Sequence, residues 1–232
     1  MNKYLSFLLQ PPITKHFRAK LVHNFHTLTP GEMVIYFTLI RPFWSAAKRF
    51  YFEGSLGILG QMYIAERKAI FEIITTYKPA QCFEIGTFTG GGSTYFTASA
   101  LAQNGTGKLY TIENDTHYFN KAKRYFTNKL PTLAKSVDFI FADTPTVFDQ
   151  YLTPTKKVDC VFFDGAEDGQ QTVDQYSYFK PYYQTGSIAM FHDWNTEKTR
   201  LVKGVIQADP RWKLLIELTP PTSVGFAAFI YQ

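Results

Sequence analysis

The stretch Cys82-Phe83-Glu84-Ile85-Gly86-Thr87-Phe88-Thr89-Gly90-Gly91-Gly92-Ser93 constrains this chain more than any other. It opens as a short apolar strand, breaks into a glycine turn and passes into residues 94–101, which read as a helix. A strand, a glycine turn and a helix start together form a cradle for a small ligand. Glycine lets backbone approach a ligand closely. The first helical turn presents N–H groups without intrahelical partners and a partial positive charge. Glu84, inside the strand end, adds a carboxylate that a site built only for phosphate would not carry. The expected ligand therefore carries positive as well as negative charge.

Around this stretch apolar strand-like runs alternate with helical ones. Strands are expected at residues 81–85, 108–112, 137–142, 158–163 and 187–191. Helices are expected at 61–78, 92–103, 117–129, 144–152, 170–179 and 196–207. Such alternation implies a mostly parallel sheet covered on both faces. Two further strands, 212–218 and 224–230, are joined by a short Pro-containing link, which predicts an antiparallel pair. With 45% hydrophobic residues in 232, the chain has enough apolar material for one domain plus an extension.

Residues 1–60 form that extension, a helical lid or dimerisation segment, ahead of the main domain at 61–232. Phe17, Leu21 and Phe25 fall at helical spacing, and Thr29-Pro30-Gly31-Glu32 is a helix-start signal. Peripheral membrane contact by this aromatic segment stays open, and a homo-oligomer is expected. The net charge of +5 comes without a Lys/Arg run, which argues against a nucleic-acid partner. Cys82 and Cys160 lie in apolar runs without CxxC spacing, so buried free thiols and a reducing, cytoplasmic setting are expected. Residues 5–9 are too short for a signal peptide, and 33–44 are too short to span a bilayer.

Glu84, Glu113, Asp143, Asp164 and Asp193 stand at or just beyond the ends of the parallel strands. Ligands of open α/β sheets bind outside those carboxyl ends. Turn and cap preferences account for some of these acids. A cationic ligand, a polyhydroxy ligand or a metal would use such an edge. Glu113 is placed where dinucleotide-binding folds keep an acid for ribose, but Gly86-x-x-x-Gly90 does not follow their G-x-G-x-x-G spacing.

Glu84-Ile85-Gly86-Thr87-Phe88-Thr89-Gly90 resembles the first motif of class I S-adenosylmethionine-dependent methyltransferases. The order of elements from about residue 61 onward agrees. The chain resembles in particular the small-molecule O-methyltransferases, including the macrocin and cephalosporin-hydroxylase-like branch. Val158-Asp159-Cys160-Val161-Phe162-Phe163-Asp164-Gly165 and Gly186-Ser187-Ile188-Ala189-Met190-Phe191-His192-Asp193 correspond to its fourth and fifth strands. The resemblance implies a Rossmann-like, doubly wound, seven-stranded sheet with an antiparallel C-terminal strand pair. It implies S-adenosylmethionine as cofactor and a small-molecule hydroxyl or glycoside as acceptor.

By that resemblance, Gly86, Thr87, Gly90, Gly91 and Ser93 would hold the methionine part, with Glu84 near its amino group. Glu113 would accept from the ribose hydroxyls, and Asp143 would approach the adenine amine, with Asp164 also at the cofactor. The loop carries an extra glycine, Gly92, which leaves Gly91, Gly92 and Ser93 as alternative contacts. In the cation-dependent branch, strand-end acids hold a divalent metal that activates the hydroxyl. Asp164 and Asp193 match those positions, and oxygen ligands suit Mg2+.

His192 is a further ligand, the general base, or simply a strand-end hydrogen-bonding group. Asp164, His192 and Asp193 are thus the expected catalytic set. Glu167 and Asp168 either reach in or cap a helix. Trp194 either walls the acceptor pocket or belongs to the core. A hydroxylase-like reaction on the same scaffold and a non-catalytic, cofactor-binding or membrane-peripheral interaction protein are the alternatives.

Overall fold

The computed structural model describes residues 60–152, 158–219 and 224–232. The readings of the N-terminal segment, including the helical spacing of Phe17, Leu21 and Phe25 and the helix start at 29–32, fall outside these residues. The described chain begins with helix α1 (Ile64–Tyr77). Glu66 in its first turn accepts the Tyr63 backbone N–H at 2.7 Å, which closes the helix start. The helix ends at Lys78, whose φ of 49° is left-handed, and Pro79 follows.

A seven-stranded sheet has the order β3-β2-β1-β4-β5-β7-β6. Its strands are β1 (Gln81–Ile85), β2 (Lys108–Glu113), β3 (Val137–Phe141), β4 (Cys160–Phe163), β5 (Ile188–His192), β6 (Trp212–Leu218) and β7 (Phe226–Tyr231). β1 to β5 pair in parallel, and β7 runs antiparallel between β5 and β6. The doubly wound sheet and its antiparallel end are those expected. The strand order reverses between β1 and β4, which makes the crevice above them the natural ligand site.

The pleat sorts each strand's side chains to two cores. Cys82, Cys160 and Phe162 face a core with α1, α2 (Ser93–Asn104) and α3 (Thr116–Lys129). Phe83, Ile85, Val161 and Phe163 face the other, with α5 (Gly169–Phe179) and α6 (Glu197–Ala208). Strands apolar on both faces are what a covered parallel sheet demands. Phe163 stacks on Phe191 with centroids 4.8 Å apart. Trp194 is fully buried against Phe191 and Phe229, so it is core and walls no pocket. Cys82 and Cys160 are free, buried and registered opposite each other on β1 and β4.

Three local differences from expectation have physical causes. Residues 145–150 form a 3-10 helix instead of an α-helix over 144–152, with Pro145 at its start and the Thr144 side chain turned back to Thr146. β4 starts at Cys160, because the Asp159 carboxylate accepts the Ala80 and Gln81 N–H groups at 2.8 and 2.9 Å. A short helix α4 (Pro131–Ala134) also precedes β3.

The glycine turn is fixed by backbone proximity. Gly86 has φ +96°, and a Cβ there would lie 2.9 Å from the backbone of Asp164 and Gly165. Its N–H continues the sheet by bonding to the Ile112 carbonyl at 3.1 Å. Gly86→Ala should therefore cost about 2–4 kcal/mol, combining left-handed strain with overpacking. Gly105 also has φ +70°, but a Cβ there meets nothing within 4 Å. Gly105→Ala should cost only about 1 kcal/mol. Denaturant midpoints of the two variants, with unchanged slope, measure the difference.

Candidate active site

A cleft of about 630 Å³ opens along the carboxyl edge of the sheet. Gly86, Thr87, Ser93, Glu113 and Asp143 line one end of it. Asp164, His192, Asp193 and Lys198 line the other. Gly92 also faces the cleft, whereas Glu84, Gly90 and Gly91 are buried and are not among its lining residues.

At the first end, hydrogen bonds decide which groups remain for a ligand. The amides of Gly86 and Thr87 bond to Ile112, and that of Gly90 bonds to Thr87. The Phe88 N–H donates to Glu113 Oε2 at 2.6 Å. At the α2 start, where the first amides have no intrahelical partner, Gly92 and Ser93 line the cleft. Glu113 accepts a second amide, from Asp115, at 3.0 Å, so both its oxygens are held in place at the cleft. Each retains a lone pair for a hydroxyl donor. Asp143 is exposed at the rim. Phe88 holds φ +51° and packs at a tilt against Tyr118, ring centroids 4.4 Å apart, and both residues line the cleft.

Glu84 lies one layer behind. Thr94 and Thr111 donate to its Oε2 at 2.7 and 2.6 Å, while Oε1 is buried without a partner. Burial pushes this carboxyl up to about 7, against hydrogen bonds from Ser93, Thr111 and Thr94. The set fits an amino acid joined to a nucleoside. It has helix-start amides for a carboxylate, an unsatisfied buried carboxylate oxygen for nearby positive charge, and Glu113 for a diol.

The second end is a compact ionic cluster. His192 Nδ1 lies 3.1 Å from Asp164 Oδ1 and 3.6 Å from Asp193 Oδ1. Its Nε2 points toward Glu66 Oε2 at 3.6 Å. Burial opposes charge on this ring, but the carboxylates of Asp164 and Glu66 outweigh it and Asp193 adds, raising His192 to about 10. The ring is thus an imidazolium at neutral pH, a donor on both nitrogens. Lys198 Nζ donates to Asp193 Oδ2 at 2.7 Å, to Asp164 Oδ1 at 3.2 Å and to the Asp164 carbonyl at 3.0 Å.

Local backbone chemistry sets these positions. Asp193 has φ +56° at the corner between β5 and α6. Its carbonyl accepts the Thr196 and Thr199 hydroxyls, each at 2.9 Å, which pins the start of α6 over the cleft. Asp168 caps α5, accepting the Gln171 N–H at 2.9 Å, while Glu167 lines the cleft.

Asp164, His192 and Asp193 bring ligand atoms within 4.8 Å of one another, as a metal site would. The Lys198 ammonium already bridges the two aspartates, however. A divalent ion about 4 Å from it would meet repulsion of about 8 kcal/mol at an effective dielectric of about 20. The residues in this arrangement do not fit a divalent metal.

Two of these groups went unnoticed in the sequence. Glu66 sits among polar residues of α1, yet it is 1% exposed. Lys198 carried a usable signal, since a cation in the first turn of a helix opposes the helix dipole and calls for acids nearby.

Comparison with known proteins agrees with this geometry. Residues 83–194 match a family model described as a methyltransferase domain. The fold is that of the class I methyltransferases. The O-methyltransferase TomG from Streptomyces achromogenes, involved in tomaymycin synthesis and solved with SAM, superposes with a TM-score of 0.61 at 16% identity, over 81% of this chain and 88% of that one. An O-methyltransferase from Bacillus cereus in complex with SAH gives 0.60 at 15% identity, over 88% and 99%. An rRNA methylase from Streptococcus thermophilus gives 0.54 at 14% identity, over 73% and 98%.

No match is found among curated proteins. The family match covers residues 83–194, and the solved structures, at 16% identity, show the fold. None of these relatives supports the macrocin or cephalosporin-hydroxylase branch in particular. Among the described residues, no helix is long and apolar enough to cross a membrane.

The Glu84 environment predicts a pH dependence. A carboxyl raised from 4.5 to about 7 favours the folded state while protonated, so stability is lost as pH rises through that window. The loss is about 3 kcal/mol by linkage. Glu84→Gln should remove this slope, so the variant gains on wild type between about pH 4.5 and 7 in urea unfolding.

Proposed function

We propose that this chain transfers a methyl group from S-adenosylmethionine to a hydroxyl of a small molecule or glycoside. One observation carries the reading: a single cleft at the strand-order reversal joins a zwitterion and diol site to a proton-handling cluster. The likeness to O-methyltransferases solved with SAM or SAH supports it. Bound S-adenosylmethionine supplies an electrophilic sulfonium methyl.

The protein's own work is alignment and charge control. Glu113 orients the diol, the α2 amides receive the carboxylate, and Asp143 stands at the base-binding rim. Glu84 compensates positive charge from behind the turn.

At the other end the acceptor hydroxyl donates to Asp193 or Asp164. His192, held as imidazolium, fixes Asp164, and the proton taken from the hydroxyl is released to solvent as the neutral methyl ether and S-adenosylhomocysteine depart. Lys198 opposes negative charge growing on the acceptor oxygen. This assigns the proton-accepting step to the aspartates and leaves Mg2+ without a place in it. Residues 1–60 are proposed as the lid or dimerisation segment of a homo-oligomeric, cytoplasmic enzyme, and the macrocin-like acceptor class rests on the sequence resemblance alone.

Calorimetry with S-adenosylhomocysteine tests the reading. Wild type should bind with a Kd of about 1–100 μM, and Glu113→Ala should weaken binding about tenfold or more. Asp193→Asn should leave that Kd unchanged while lowering kcat about 100-fold with an accepted substrate. Absence of S-adenosylhomocysteine binding to wild type at millimolar concentration would sink the proposal.

A further inference from the structure

We infer that Lys198 is a built-in cation that takes the place of a divalent metal between Asp164 and Asp193, so that the site is closed to metal unless this lysine is removed. The inference rests on the reading of this cluster as the acceptor end of the cleft.

Three observations converge on it. First, the Lys198 ammonium has three donors and meets three acceptors: Asp193 Oδ2, Asp164 Oδ1 and the Asp164 carbonyl, at 2.7, 3.2 and 3.0 Å. Its side chain is only 16% exposed. Second, Asp164 Oδ1, the oxygen on the His192 side, is shared between Lys198 and His192, at 3.2 and 3.1 Å. Metal coordination requires approach to about 2.0–2.6 Å, which would displace one or both donors. Third, the lysine is anchored rather than draped. It leaves the first turn of α6, which Thr196 and Thr199 tie to the Asp193 carbonyl. A cation is disfavoured there by the helix dipole, so the two aspartates account for its presence.

With Lys198 gone, Asp164, His192 and Asp193 still bring ligand atoms within 4.8 Å of one another. Two carboxylates, joined by the imidazole when Mn2+ displaces its proton, are a competent set for Mn2+ once the competing ammonium is absent. The lysine thereby sets cofactor specificity: it supplies a fixed single positive charge at the acceptor and denies the site to free divalent ions. Glu66, behind His192, adds a carboxylate that favours the ring as a cation and disfavours it as a neutral ligand.

Mn2+ binding to the full chain, followed by electron paramagnetic resonance, decides the matter without any substrate. Wild type should bind no Mn2+ up to about 1 mM, whereas Lys198→Ala should acquire a site at least about tenfold tighter than that limit. Adding Asp193→Asn to Lys198→Ala should abolish the new site. Lys198→Met, which keeps the apolar stem, serves if the alanine variant does not fold. Wild-type Mn2+ binding that Asp193→Asn removes would overturn the inference. So would folded Lys198 variants, verified by circular dichroism, that bind no Mn2+. S-adenosylhomocysteine binding, measured in parallel, separates the two ideas: its absence from wild type counts against the proposed function, while Mn2+ binding by wild type that retains it counts against the built-in cation.

Discussion

The close approach of two loop backbones, at Gly86 after β1 and Gly165 after β4, is the constraint on which the rest of the site depends. A Cβ at Gly165 would meet the Ile85 side chain at 2.7 Å and the Gly86 nitrogen at 3.0 Å. The two strands are adjacent and parallel, and their connections leave in opposite directions. Any side chain at this seam would separate the loops that form the floor of the cleft. With the seam closed, Ile85 and Asp164 continue the ladder through a 3.0 Å hydrogen bond. Asp164 then projects from the same floor that carries the glycine turn. The two ends of the cleft are therefore set by one backbone contact, and their separation does not depend on flexible side chains.

Charge is distributed over the same floor in two ways. At the glycine turn a carboxylate, Glu84, is sealed in by threonines and kept close to neutrality. At the β5 end Glu66, Asp164 and Asp193 are instead matched by His192 and Lys198. Burying carboxylates without partners is costly, and the two ends show the two available solutions, protonation and pairing. The paired end keeps its groups ionised at the cleft. The neutralised end keeps a charge in reserve for a ligand that brings its own cation.

Much of this was legible in the sequence, for reasons that are themselves physical. Strands covered on both faces must be largely apolar, so runs such as 81–85 and 158–163 declare themselves, although the second strand starts only at Cys160. The glycine turn and the strand-end acids follow from backbone geometry and from the polarity of an open sheet edge. Pro145 gave a hint that 144–152 would not form a full α-helix, but apolar spacing dominated the reading. Glu66 and Lys198 were hidden for a different reason. Their partners lie far along the chain or across a turn, and a polar residue on an amphipathic helix looks solvated until its neighbours are known. Glu84 was legible as an acid at the turn, but its position behind the cleft depends on Thr94 and Thr111, which no local pattern couples to it.

The Glu66–His192 contact redraws where the functional unit begins. The family match spans residues 83–194, yet the carboxylate beside the His192 imidazole comes from α1, outside that span. Lys198 lies beyond its other limit. A fragment trimmed to the matched segment would keep the glycine turn and all five strand-end acids while losing both residues that balance the ionic cluster. For this chain, the boundary of recognisable homology and the boundary of electrostatic completeness are different lines, and a transplant of the chemistry to another scaffold must follow the second.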